Sequence, residues 1–159
     1  MKAALLPCVG HPDRALRSTV ASIAAGLIAS APAGWAEWPE LLAALVHCLE
    51  ASADQAAQEA GLACLVMLCE DVPAQMDAPL PWPPAAAGSG APTGMASPGA
   101  LLVPALLSLM GSPHSACRRS AVACLNQLLG YPPASLLERL EVRAPESVFP
   151  KNGAEGSPI

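Results

Sequence analysis

The chain carries one pattern three times, and this repeat limits its fold more than any other feature. Pro12–Ile28 (PDRALRSTVASIAAGLI), Ala53–Cys69 (ADQAAQEAGLACLVMLC) and Pro113–Leu129 (PHSACRRSAVACLNQLL) align without gaps. The columns Leu16/Ala57/Cys117, Val20/Gly61/Ala121, Ile23/Cys64/Cys124, Leu27/Leu68/Leu128 and Ile28/Cys69/Leu129 recur at i, i+4, i+7, i+11 and i+12. That spacing places them on one face of an α-helix, the expected core face. A second helix precedes each copy. Leu5-Leu6 match Val46-His47 and Leu106-Leu107 in register, and Cys8 matches Leu49 and Leu109. Leu41, Leu42, Leu45, Val46 and Leu49 form one apolar stripe; Leu102, Leu106, Leu107 and Leu109 form another.

Composition agrees with helix. Over half the chain is apolar (53%), yet only 3% is aromatic, and alanine and leucine dominate. Those two residues lose little side-chain entropy in a helix, and a sandwich or barrel is disfavoured. The net charge of −5 gives no basic surface for nucleic acid. The 18 prolines must lie at helix ends and in loops. Pro32, Pro73 and Pro132-Pro133 follow the long helices and stop them. Ser112-Pro113 reads as an N-cap with proline at the first helical position. Asp13 and Asp54 put negative charge in the first turn of their helices, where the dipole favours it.

A hairpin of two helices cannot bury its stripe alone, whereas stacked hairpins create a continuous core. Units of two helices and about 40 residues are of the HEAT or armadillo type. The expected fold is therefore all-α, an α-solenoid of about two and a half HEAT-like hairpins. The expected organisation is a partial repeat over 3–31, a repeat over 38–78 and a repeat over 100–131. A further helix starts at 134–143, and 144–159 is read as a disordered tail. Between the later repeats, 79–99 carries six prolines, four glycines and five alanines without a charge. It reads as a flexible low-complexity insertion, with Trp82 its one large side chain. Apolar end faces would make so short a stack prone to association.

The ordered residues resemble a known family. The run RSTVASIAAGLIASAPAGWAEWPELLAALVHCLEAS, the preceding LLPCVGHPDRALRSTV, Trp38-Pro39-Glu40-Leu41-Leu42 opening a first helix, Cys69-Glu70-Asp71 closing a second, and SAVACLNQLL at 120–129 resemble the amino-terminal HEAT repeats of the importin-β (karyopherin) family, most closely its transportin branch. The resemblance covers about residues 3–75 and 100–130. It implies a fragment spanning about the third to fifth repeats of a longer superhelix working in nuclear import. It further implies binding of the GTPase Ran in its GTP form, cargo bearing a nuclear localisation signal, nucleoporins as partners, and a life in cytoplasm and nucleus. Family repeats often place Asp at the inter-helix turn and Arg six residues later. Here the Arg slots hold Arg17, Gln58 and Arg118, and the Asp slots hold His11, Ser52 and Ser112. The 79–99 insertion stands where the family has a shorter, often acidic connection, and the residues after Arg143 do not resemble a next repeat.

Opposite the predicted core face fall Arg14, Ser18 and Ala25, then Gln55, Glu59 and Val66, then Ser115, Arg119 and Asn126. A partner would meet Arg14, Glu59, Arg119 and Asn126 as polar contacts. Arg17 and Arg118 are expected to pack their stems and bond across the turn between repeats. Glu70-Asp71, at a helix carboxyl end, stands against the dipole, which hints at a basic partner. Cys64 and Cys124 share a column with Ile23, so they read as small core residues. Trp35 and Trp38 are expected to pack at the turn between repeats. No GxSxG, HExxH, GxxxxGK[ST] or GxGxxG occurs, so no enzyme, cofactor or metal is expected. Two other readings stay open. One is a HEAT scaffold of another kind, like a phosphatase regulatory subunit or a coat adaptor. The other is a secreted cysteine-stapled protein, because Arg14 and Arg17 precede an uncharged run that ends in Ala-x-Ala.

Overall fold

In a computed structural model, residues 2–11, 13–51, 53–84 and 94–141 are described. Seven helices and one short β-pair occur among them. Helix α1 (Lys2–Leu5) runs into a 3-10 turn at Leu6–Cys8. The others are α2 (Arg14–Ser30), α3 (Pro39–Glu50), α4 (Gln55–Asp71), α5 (Pro98–Leu109), α6 (Ser115–Leu128) and α7 (Ala134–Glu141). The arrangement is an all-α helical repeat in two layers. Helices α2, α4 and α6 lie side by side with α4 in the middle. Helices α3, α5 and α7 form the other layer, α3 against α4 and α5 against α6.

Local chemistry sets the helix ends. The Asp13 carboxylate accepts from the Ala15 and Leu16 amides at 2.8 and 3.4 Å, and Asp54 accepts from Ala57 at 3.0 Å. Each satisfies amide donors that the helix cannot pair internally. Ser97 caps α5 by accepting from Ala100 at 3.2 Å, with Pro98 following at the first helical position. Helix α6 begins at Ser115, later than the Ser112-Pro113 signal predicts, and the Ser112 hydroxyl instead accepts from the His114 amide at 3.2 Å. Ser112, Pro113 and His114 are thereby held in the turn rather than wound into the helix. Helix α7 is capped from a distance: both Asp77 carboxylate oxygens stand 3.1 Å from the Ala134 amide.

The core is continuous through the stack. Leu41, Leu42, Leu45 and Leu49 of α3, Leu102, Val103 and Leu106 of α5, and Leu62, Leu65 and Leu68 of α4 are all buried. Trp35 and Trp38 are buried where α2 hands over to α3, in the turn expected of them. Gly34 in that turn has φ +52°, a left-handed conformation open to glycine at little cost.

The insertion is not loop throughout. Its two ends pair as antiparallel strands β1 (Leu80–Trp82) and β2 (Gly94–Ala96), with Leu80 opposite Ala96 and Trp82 opposite Gly94. Leu80 is fully buried and Trp82 packs against the core, so this base belongs to the folded body. Residues 85–93 and the tail at 144–159 lie outside the described residues.

Three core-column residues are exposed: Leu16, Ile23 and Leu129. The reason is position in the stack. A second-layer helix buries one flank against the helix before it and the other against the helix after it. Among the described residues, α2 has no such helix before it and α6 none after it.

Candidate interaction surface

On each second-layer helix one stripe lies largely outside the core, with Ala25 of α2 the buried exception. On α4 it runs through Glu59, Ala63, Val66 and Glu70. Ala63 and Glu70 are exposed; Glu59 and Val66 are half-buried. The matching residues are Ser18, Ser22, Ala25 and Ala29 on α2, and Arg119, Ala123, Asn126 and Gly130 on or just after α6. Arg14, Gln55 and Ser115 stand one turn nearer the amino ends, all exposed. Of the predicted contact residues, Arg14, Arg119 and Asn126 are exposed and Glu59 half-buried.

Ala25 is a correction: it is fully buried. The buried arc of α2 runs through Val20, Ala21, Ala24, Ala25 and Ile28, turned by roughly a quarter of a revolution from the predicted face. The arc turns because α2 packs on α4 at one flank only. The stripe therefore passes through Ser22 rather than Ala25. The sequence reading left Ser22, Ala63 and Ala123 out of the stripe, and one charged residue, Glu70, three turns beyond Glu59. Its i, i+4, i+7, i+11 spacing from Glu59 was the available signal.

Electrostatically the surface alternates. Arg14 on α2 and Arg119 on α6 flank Glu59 on the central helix. The Glu59 carboxylate accepts from the Gln55 side-chain amide at 2.7 Å, which holds it over the first turn of α4. Between the charged ends, the small side chains of Ser22, Ala63 and Ala123 keep the surface shallow. The arrangement suits contact with another macromolecule's surface better than enclosure of a small molecule. A hollow of about 790 Å³ lies elsewhere, between α5 and α7, lined by Leu107, Met110, Leu136 and Leu140 together with Glu138 and Arg139.

The arginines next to the surface have a structural task. Arg118 Nη1 donates to the carbonyl oxygens of Ser112 and Pro113 at 2.7 and 2.9 Å. Arg17 Nη1 donates to the His11 carbonyl at 2.7 Å. Both span the turn inside their own hairpin, not the turn between repeats as expected, because a partner six residues back lies within the side chain's reach. At the equivalent place, Gln58 Nε2 donates to the Leu49 carbonyl at 3.2 Å. Glu70 and Asp71 are exposed at the end of α4.

Among the described residues, no group of three or more metal-ligating side chains comes together. The six cysteines are free thiols, and Cys64, Cys69, Cys117 and Cys124 are buried. Burial pushes the Cys64 thiol up to about 12 and raises Cys48 and Cys117 as well. Cys124 is raised first by its hydrogen bond with Cys69 and then by burial. Such thiols stay protonated and are poor nucleophiles. No helix is long and apolar enough to cross a membrane, among the described residues.

The sequence aligns with transportin-1 of rice (Oryza sativa subsp. japonica), 33% identical over 136 residues. That alignment takes in 86% of this chain, beyond the quoted motifs and across both later repeats. The chain is importin-β/transportin-like. It spans 14% of the length of the rice protein. No protein-family model matches the sequence, and no solved structure matches it. The transportin-like chain shows its repeat character in the two-layer stack of hairpins.

Proposed function

We propose that this transportin-like chain acts as a non-catalytic docking scaffold in nuclear import, through the outward stripe of α2, α4 and α6. The observation that carries the reading is the alignment with transportin-1 over 86% of the chain. The stripe is where that likeness acquires a chemistry: Arg14 and Arg119 offer cationic contacts, Glu59 an anionic one and Asn126 a hydrogen-bonding amide. In this reading the partner at these repeats is Ran in its GTP form. Cargo bearing a nuclear localisation signal and nucleoporins engage the longer superhelix of which such repeats form part. The chain then resides in cytoplasm and nucleus.

The test is a binding titration of the 159-residue chain against Ran loaded with a non-hydrolysable GTP analogue, with Ran-GDP in parallel. Binding to the GTP form alone, weakened about tenfold or more in an Arg14→Glu/Arg119→Glu variant, supports the proposal. Failure to bind either form overturns it and leaves a HEAT scaffold with a different partner, for which a phosphatase subunit or a coat adaptor is the comparison.

A further inference from the structure

The cysteines take no part in the docking stripe, and two of them meet inside the stack. Cys69 of α4 and Cys124 of α6 are buried free thiols, and the two share a hydrogen bond. They belong to different hairpins. The helices that carry them pack side by side. The approach is close enough for the Cys124 Sγ to stand 4.0 Å from the Leu62 carbonyl oxygen, on the backbone of α4.

The repeat register explains why these two meet. Cys124 and Cys64 occupy one column, so each points back at the second-layer helix before it, Cys124 at α4 and Cys64 at α2. Cys69 shares its column with Ile28, which is buried on α2. That column points forward at the next second-layer helix. The α2–α4 joint thus sets Ile28 against Cys64, and the α4–α6 joint sets Cys69 against Cys124. Of these two joints, only the second has sulfur on both sides.

The spacing suits a bond. Helices usually pack at about 8–10 Å between axes, with Cα atoms about 2.3 Å from each axis. Facing Cα atoms then fall near the range of about 4.4–6.8 Å that a disulfide needs. Cys117 and Ala121 are buried with Cys124 on α6, and such small side chains hold the separation toward its short end.

We propose that Cys69 and Cys124 are a redox-sensitive pair that peroxide closes to a disulfide, pinning α4 to α6. One thiol, once ionised, attacks the peroxide. The O–O bond breaks, hydroxide leaves and takes up a proton as water, and a sulfenic acid remains. The other sulfur attacks the sulfenic sulfur; its proton and the hydroxyl leave as a second water, and the S–S bond forms. The pair gives up two electrons, and the peroxide is reduced to two waters. Both thiols are shut inside the joint, so the first step waits for the joint to open and is slow in the folded protein. The closed bond fixes the spacing of the two helices that carry Glu59 and Arg119. Where glutathione keeps thiols reduced, such a bond is transient.

The experiment exposes the folded 159-residue chain to hydrogen peroxide, blocks the remaining thiols in denaturant and maps cysteine links by mass spectrometry. Peptides joined through Cys69 and Cys124 should accumulate and be released by dithiothreitol. The oxidised protein should melt about 5–10 °C higher than the reduced one. Cys69→Ala and Cys124→Ala should each abolish both the link and the rise. Should one of them lose helical circular dichroism, the other carries the comparison. Absence of the link overturns the proposal, as do links that join these cysteines mainly to others, sulfinic acids in place of a link, or a link without a rise in melting. Ran binding plays no part in these readouts, so their failure leaves the proposed function standing.

Discussion

Arg118 reaches back six residues to donate to the Ser112 carbonyl oxygen at 2.7 Å, tying the start of α6 to the turn that precedes it. Arg17 makes the same tie to His11, and Gln58 makes a longer one to Leu49, nine residues back. Three hairpins thus share one device with two kinds of donor. The burial around it differs: Gln58 is buried, Arg17 half-buried and Arg118 exposed.

That gradient orders the consequences of removing the donor. Hydrogen bonds exposed to water contribute least, and a buried acceptor left without its donor costs about 1–3 kcal/mol. Gln58→Leu should therefore lower unfolding free energy by about 1–3 kcal/mol, and Arg118→Met by about 1 kcal/mol or less. Arg17→Met should fall between them. Urea unfolding of the three variants checks the order; an Arg118 variant more damaged than the Gln58 variant would contradict it.

Gly61 of α4 packs directly against Cys48 of α3. A methyl added there would lie 2.7 Å from the Cys48 Cβ and 3.9 Å from the Leu45 carbonyl oxygen. The Cys48 Cβ is fixed to the backbone and cannot swing aside. Replacing glycine by alanine in a helix ordinarily gains about 1 kcal/mol, but overpacking costs about 1–3 kcal/mol. Gly61→Ala should thus destabilise, while Gly26→Ala, which meets nothing within 4 Å, should be neutral or stabilising. Thermal melts of the two variants check the contrast: a Gly61→Ala protein that melts no lower than the wild type would contradict it.

The hairpin stack was legible because period and register are carried by large side chains. Leu41, Leu42, Leu45 and Leu49 could only be one buried stripe, and the three aligned second helices fixed the order of stacking. The two-sided burial was not legible. Periodicity marks a single stripe on each second helix, whereas α4 buries Cys64 on one side and Leu62 on another. The column Ala21/Leu62/Val122 is apolar in all three copies but lies to one side of the stripe that the i, i+4, i+7 spacing marks. Ala25 and Ile23 exchange places between core and surface, because among the described residues α2 has one second-layer neighbour where α4 has two. At the amino end of α6, the Ser-Pro signal names the turn correctly but not the helix start. Of the proposed contact residues, the outward placement of Arg14, Arg119 and Asn126 was legible, while Glu59 is half-buried; no sequence signal names their partner.

Leu80 shows how composition can hide a core residue. It lies in a stretch dominated by proline, glycine and alanine, where no periodicity marks it. The β1–β2 pairing nevertheless delivers its side chain to full burial, with β1 against α3. Leu80→Ala should destabilise by about 2–5 kcal/mol, the range for emptying a buried leucine site. Met95→Ala, on the paired strand but largely exposed, should change stability by less than about 0.5 kcal/mol. Equal effects of the two in chemical unfolding would show that the strand pair is not part of the cooperative core.

The buried thiols predict a specific alkaline weakness. Cys64 has its pKa raised from 9.0 to about 12 by burial, so the folded state holds its proton where the unfolded chain releases it. The unfolded state then binds fewer protons, and stability must fall as pH rises. The contribution is complete below about pH 9, the unfolded value, and is lost progressively between there and about pH 12. Cys124 shifts in the same direction through its hydrogen bond with Cys69, which adds to the slope. A Cys64→Ala variant removes one titrating group while keeping an apolar side chain of modest size. Its unfolding free energy should start lower at about pH 8, through the small cavity, and decline less steeply above about pH 9 than that of the wild type. Burial predicts the order of thiol alkylation in the native protein. The half-buried Cys8 and Cys48 should react first, and Cys64, Cys69, Cys117 and Cys124 only on unfolding. Stability measured from about pH 8 to about pH 10.5 and native-state alkylation mapped by mass spectrometry check the two expectations separately. A Cys64→Ala profile parallel to the wild type would show that this thiol does not control the alkaline limb.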